Sequence, residues 1–261
     1  MSPNLQQMME KAIALNNSGA YYISKGDMTN AIRACTAALQ TAKRMKSIVE
    51  KKHANDTTQY FMLDQLMMPM TSNYFPCKNE SSTMNSQTAV YDHPIQLPLP
   101  ATETEEDSVN GVFLALSAAV VFNLALCHHQ VTMNFDSKDA SRQSMHNATS
   151  QRIFLEKAVK LYESAYRIAN KASGGFTNGH CSFFLAASLN NMAIIFRELS
   201  ETPLAERCFH QLLTRFLHIN KTIERGEQGM EAYHANKLEG FLRSAIMYVT
   251  FPHCSFPAAA A

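Results

Sequence analysis

Three neighbouring side chains near the middle of the chain could bind a metal ion. Cys127, His128 and His129 are consecutive, and the other candidate ligands are His146, His180 and Cys181. The ligands of a metal site must point at one ion, whereas consecutive residues of a helix point about 100° apart. We therefore expect packed histidines at these positions, with no metal and no cofactor.

A glycine-containing stretch could bind phosphate or hold a nucleophile. Residues 174–181 read GGFTNGHC, with His180 where a phosphate loop requires lysine, and the stretch follows a predicted helix rather than a strand. Cys181 stands beside His180, but no orienting acid accompanies the pair. The sequence therefore predicts no catalytic residue, and an enzyme of unknown chemistry remains the less favoured alternative.

Asparagine recurs at one equivalent place in three stretches, as Asn17, Asn123 and Asn191, each two residues before a small residue. An amide offers one acceptor and two donors, which matches a peptide backbone without requiring a charge. The alternative is that these amides satisfy neighbouring helix-terminal groups. We predict a peptide-binding face built from Asn16, Asn17, Asn123, Asn190, Asn191, Ile194 and Arg197, with apolar contacts from Ile13, Ile23, Phe122 and Leu126.

Small residues also recur at fixed offsets, where the two helices of a hairpin would approach closely. Gly19 is expected opposite Ala31, and Ala193 opposite Ala205. In the middle hairpin a polar insert separates the corresponding residues, Ala125 and Ala158. One hairpin cannot cover its own apolar face, so at least three must stack and share a core.

Two stretches, NNSGAYYISKGDMTNAI and NNMAIIFRELSETPLAERCF, resemble the tetratricopeptide repeat (TPR) family, and the resemblance covers residues 8–45, 114–170 and 185–219. It implies an all-α fold, a TPR-like right-handed α-α superhelix of stacked antiparallel helical hairpins with a concave groove. Family members that hold acidic tails use paired Lys and Arg, where this chain has Asn16, Ala20, Ala187 and Asn191. The whole-chain layout, with FNLALCHH and LYESAY, is similar to a group of TPR-like proteins from unicellular algae.

Changes in composition divide the chain into four parts. Residues 1–70 form a first hairpin with an extended second helix, and residues 71–108 a polar linker with Pro76, Pro94, Pro98 and Pro100. Residues 109–251 hold hairpins two and three and a capping helix, and residues 252–261 a disordered tail. Within the linker, Val90 to Leu99 alternates apolar and polar residues, so it is a candidate occupant of the groove from the same chain.

The charge balance and the apolar stretches exclude several classes of protein. The formal net charge of the 261 residues is +1, which argues against nucleic-acid binding. Residues 109–127 are apolar, but Gly111, Ser117 and Asn123 interrupt them, so we expect a buried helix and no membrane span. The first residues lack the layout of a signal peptide, which favours a cytoplasmic or nuclear location.

These observations predict a protein–protein interaction module or scaffold that is not an enzyme. Its partner would be an unidentified protein or peptide whose extended or helical segment binds in the concave, Asn-lined groove. The main alternative is a structural helical-repeat protein whose groove is filled by its own linker.

Overall fold

The computed structural model describes residues 2–52, 91–97, 108–135, 144–172, 179–224, 239–243 and 245–246. This part of the chain is mostly helical and holds no strand, which confirms the predicted all-α fold for these residues. The six long helices are α1 (Pro3–Ser24), α2 (Met28–Lys52), α3 (Ser108–Phe135), α4 (Ser144–Ala172), α5 (Gly179–Glu198) and α6 (Thr202–Glu224). Residues 239–243 and 245–246 are also helical.

Two polar side chains and one glycine define the ends of the helices in the first hairpin. The Ser2 hydroxyl accepts a hydrogen bond from the Leu5 N–H (3.4 Å) and so caps α1. After α1, Gly26 adopts a positive φ of 75°, which costs glycine little. The Asp27 carboxylate then accepts from the backbone N–H of Asn30 (3.2 Å) and caps the start of α2.

Two helix boundaries differ from those that the composition predicts. The sequence predicts a helix from about Glu105 to Gln130, followed by a polar insert of residues 134–151 that ends at Gln151. The helix α3 instead continues to Phe135, and α4 begins at Ser144, inside the expected insert. Thr149 and Ser150 are exposed on α4, where polar side chains cost the helix little. The insert predicted from composition is therefore longer than the observed one, because exposed helix faces and loops contain similar polar residues.

Neighbouring helices pack in chain order. The hairpins α1–α2, α3–α4 and α5–α6 each pack internally, α3 also packs on α1 and α2, and α4 packs on α5. A Cβ at Gly19 would collide with Sγ of Cys35 and lie 3.6 Å from the Ala31 carbonyl oxygen. The six proposed packing residues, Gly19, Ala31, Ala125, Ala158, Ala193 and Ala205, are all buried.

Helix α3 is the most apolar element of the described chain. Its stretch Phe113–Met133 is long and apolar enough to cross a membrane by length and composition. Of the most apolar 18 residues in this stretch, 78% are buried inside the fold. Helix α3 packs against α1, α2 and α4, and these contacts explain why its own apolar residues are not confined to one face.

Part of the predicted organisation lies outside the described residues. This applies to the tail 252–261, to most of the linker 71–108 and to the ends of the predicted capping helix. The described part of that helix contributes Phe241 and Ala245, which are buried in the same apolar cluster as residues of α3 to α6.

Candidate binding groove

The segment 91–97, which is neither helical nor turned, lies against the first helices of the hairpins. On α1, Asn17 accepts from the N–H of Leu97 (2.9 Å) and donates through Nδ2 to the Leu97 carbonyl oxygen (2.8 Å). On α3, Asn123 makes the same two bonds to Ile95, both at 2.7 Å. Each amide therefore binds both polar backbone groups of a single residue.

A third amide on α5 repeats this arrangement at the other end of the segment. Asn191 accepts from the N–H of Tyr91 (2.9 Å) and donates to its carbonyl oxygen (2.9 Å). The same Nδ2 also donates to the hydroxyl of Tyr162 (3.1 Å), and Asn190 donates to Oδ1 of Asn191 (3.4 Å). Tyr162 is fully buried, and burial raises the pKa of its hydroxyl, which therefore stays neutral.

Neighbouring amides orient Asn123. Asn16 donates to the Ile95 carbonyl oxygen (2.9 Å) and accepts from Nδ2 of Asn123 (2.9 Å). It also donates to Oδ1 of Asn17 (3.3 Å), which joins the amides of α1 and α3 into one network. Because oxygen and nitrogen of each amide have different partners, only one orientation of each side chain satisfies the network. The network therefore orients these amides towards the backbone of the segment.

The register of the segment follows the geometry of an extended chain. The N–H and C=O groups of alternate residues face the same edge, and the three bound residues are all odd-numbered: Tyr91, Ile95 and Leu97. On the other edge, the Asp92 carbonyl oxygen accepts from Gln130 (3.2 Å), and Pro94 has no N–H to leave unpaired. Gln130 is not among the predicted site residues, although it lies seven residues, about two helical turns, after Asn123 on α3.

Two side chains of the segment are buried in separate apolar clusters. The Tyr91 ring, 6% exposed, lies edge-on to Phe122 of α3 (5.9 Å between centroids) and to Phe241 (6.0 Å). Leu97, 5% exposed, belongs to a second cluster, with Leu5, Met9 and Ile13 of α1 and Leu116 and Val120 of α3. Ile95 packs against both clusters. The segment thus joins the two parts of the apolar core.

Two predicted site residues take no part in these hydrogen bonds. Ile194 is buried in α5, and Arg197 is half-buried in the last turn of that helix. The described hydrogen bonds to the backbone of the segment come from the neutral amides of Asn16, Asn17, Asn123, Asn191 and Gln130. These described bonds to the segment backbone are therefore made by uncharged side chains.

The histidines of the candidate metal cluster are packed among aromatic side chains. His129 is fully buried with its ring edge-on to Tyr162 (6.2 Å), and burial lowers its pKa to about 4. His128 lies tilted against Phe154 (5.6 Å), and burial, together with the charge of Lys157, lowers its pKa. Among the described residues, no group of three or more His, Cys, Asp or Glu side chains could hold a metal ion. The side chains of His146, His180 and Cys181 lie outside this set.

The buried thiols of Cys35 and Cys127 lie at the contact between the first two hairpins, and a third buried thiol, Cys208, lies on α6. The pKa of the Cys127 thiol is raised, chiefly by a hydrogen bond between the Cys127 and Cys35 side chains and next by burial. Burial also raises the pKa of Cys208 to about 11. Protonated, buried thiols behave as small apolar side chains, so these cysteines contribute packing.

A cleft of about 520 Å³ lies at the ends of α3, α4 and α5. Its lining includes Arg152 and Glu198, and Arg152 pairs with Glu156 at 2.9 Å. None of the amides that bind the segment lines this cleft.

The fold and the groove define a class: an all-α protein of packed helical hairpins with amides that hold an extended backbone. No family model matches this chain, and no curated protein or solved structure is significantly similar to it.

Proposed function

We propose that this chain is a protein–protein interaction module, a TPR-like superhelix whose concave groove binds an extended peptide. Its own segment 91–97 occupies that groove when no partner is bound. The observation that carries the proposal is the set of six hydrogen bonds between the amides of Asn17, Asn123 and Asn191 and the backbone of the segment, three donated by the amides and three by the segment. A backbone has the same polar groups in every extended peptide, so such a groove accepts other sequences as well.

The segment and the groove belong to the same chain, and this covalent link controls how readily a partner replaces the segment. A segment in the same chain has an effective concentration on the order of 1 mM, so it stays bound even when its intrinsic affinity is modest. A partner with intrinsically tighter binding displaces the segment at a concentration set by the ratio of the two affinities. The proposed module is therefore self-occupied, and a partner opens it by competition.

A structural role for the segment is the second candidate, and its burial favours it. Asn123 and Asn191 are fully buried beneath the segment, and Tyr91 and Leu97 are nearly so. A segment that serves only as part of the core would leave the groove when the whole chain unfolds, and not before. The two functions thus differ in the free energy needed to release residues 91–97.

Native-state hydrogen exchange separates the two candidates. The amide protons of Tyr91, Ile95 and Leu97 are monitored by NMR in low concentrations of denaturant, with the amide of Ala119 in α3 as the reference for global unfolding. The proposal expects the segment to exchange through a local opening with little denaturant dependence. Exchange at the free energy and denaturant slope of Ala119 would show that the segment is part of the core and would contradict the proposal.

Peptide competition tests the groove itself. The chain has no tryptophan, so His93→Trp places a single reporter on the segment, at a side chain that is 34% exposed. A free peptide of residues 90–99 has nearly the same intrinsic affinity as the tethered segment, so at concentrations above about 1 mM it should displace the segment and shift the tryptophan emission to longer wavelength. A scrambled peptide of the same composition is the control. The same emission shift with both peptides would contradict the proposal, and so would the absence of a shift with either peptide.

A further inference from the structure

We infer that the partner of this groove is an extended segment with an aromatic residue followed by aliphatic residues four and six positions later. This inference rests on the proposed function and specifies its ligand. The pattern is that of Tyr91, Ile95 and Leu97, the residues whose backbone the amides bind. The amides provide the affinity common to all peptides, and two side-chain pockets select among them.

The aromatic pocket lies at the α5 end of the groove. Its walls are Phe122 on α3 and Phe241 on the helical residues 239–243, with centroids 5.9 and 6.0 Å from the Tyr91 ring. Phe122 in turn packs against the rings of Tyr162 and Phe184, both at 5.2 Å. These rings meet edge-on or tilted, a geometry that an aliphatic side chain does not reproduce. The pocket therefore selects an aromatic residue.

The aliphatic pocket lies at the α1 end. Leu97 is 5% exposed among side chains of α1, α2 and α3 that are themselves buried, including Met9, Met45 and Leu116. A charged residue at this position would lose its hydration without a partner, and a smaller one would leave a cavity. The ligand must also run from α5 to α1, because Tyr91 binds Asn191 and Leu97 binds Asn17.

The register adds a rule for proline. A proline at position 95 would remove the N–H that binds Asn123 at 2.7 Å, whereas Pro94 presents its missing N–H to the opposite edge. The neighbouring prolines of the sequence, Pro98 and Pro100, are also at even positions. Proline is therefore accepted at even positions and rejected at the odd positions that the amides bind.

A competition series with the His93→Trp chain tests this pattern. The competitors are the peptide of residues 90–99 and its variants Tyr91→Ala, Leu97→Ala and Gln96→Ala, the last as a matched control at an even position. We expect the first two changes to raise the half-displacing concentration at least about tenfold, since each removes a buried side chain. Gln96→Ala should change it less than about twofold, because no described hydrogen bond involves that side chain.

Three variant peptides test the proline rule. Pro94→Ala should compete as well as the parent peptide, and Ile95→Pro should not compete, whereas Ile95→Val keeps the N–H and should compete within about threefold. If the parent peptide displaces the segment and all variants do so equally, the groove binds any backbone, and this inference is wrong while the proposed function stands. If the parent peptide fails to displace the segment, the proposed function is wrong, and the inference falls with it.

Discussion

Asn123 holds Ile95 by both backbone groups, with the N–H and the carbonyl oxygen each 2.7 Å from the amide. The two residues are 28 positions apart, and Asn16 from α1 shares the same carbonyl oxygen. This contact is the centre of the groove, because it joins the first two hairpins and the segment in one network. Its removal has consequences that can be measured.

Replacing Asn123 by Ala should lower the free energy of unfolding by about 3 kcal/mol, since it leaves the Ile95 N–H and the Asn16 amide oxygen without this partner. Urea unfolding followed by circular dichroism measures the change. Asn4→Ala, an exposed position of α1, is the matched control and should cost less than about 0.5 kcal/mol. Equal effects of the two changes would show that the Asn123 network is not stabilising.

The double variant Asn17→Ala and Asn191→Ala should weaken binding of a purified partner, because it removes four of the six bonds to the ligand backbone. Measured in the Tyr91→Ala and Leu97→Ala background, which removes the buried side chains that hold the competing segment, the affinity should fall at least about tenfold by titration calorimetry. Circular dichroism of the same variant confirms that the helices are intact. Unchanged affinity in a folded variant would mean that the partner binds elsewhere.

Binding in the groove should depend little on salt, since neutral amides make the hydrogen bonds to the segment backbone. Peptide competition between about 0.05 and 0.5 M NaCl should give half-displacing concentrations within about twofold. A chain that held an acidic tail would lose affinity steeply over that range. A steep loss here would contradict an uncharged groove.

Gly19→Ala should destabilise the protein by about 1 to 3 kcal/mol, although alanine is the better helix former, because the added Cβ meets Sγ of Cys35. The second variant, Cys35→Ala, removes that sulfur. A thermodynamic cycle of the single and double variants, measured by urea unfolding, should show that Gly19→Ala costs clearly less in the Cys35→Ala background. Equal costs in both backgrounds would place the strain elsewhere.

His129 should make the protein less stable in acid. Its pKa falls from 6.5 to about 4 on folding, so the unfolded chain binds the proton more tightly. The stability is complete above about pH 6.5 and falls as the pH drops towards 4, by about 3 kcal/mol in total. Urea unfolding between these pH values should show a smaller decrease for His129→Phe, which cannot titrate. Parallel curves for both proteins would exclude His129 as the cause.

The presence of the helices and the equivalent positions of the three asparagines could be predicted from the sequence alone. Helical periodicity and the spacing of small residues are local properties, so the three hairpins and the equivalent positions of Asn17, Asn123 and Asn191 could be recognised without coordinates. The boundaries between α3 and α4 could not, because polar residues occur both in loops and on exposed helix faces.

The pairing of each segment residue with its amide depends on long-range packing, which the sequence does not reveal. Those bonds join residues up to 100 positions apart, as between Tyr91 and Asn191, and every extended residue offers the same N–H and C=O. The register is instead selected by burial of Tyr91 against Phe122 and Phe241 at one end and of Leu97 at the other. Local sequence specifies the amides, and packing of distant side chains specifies their partners.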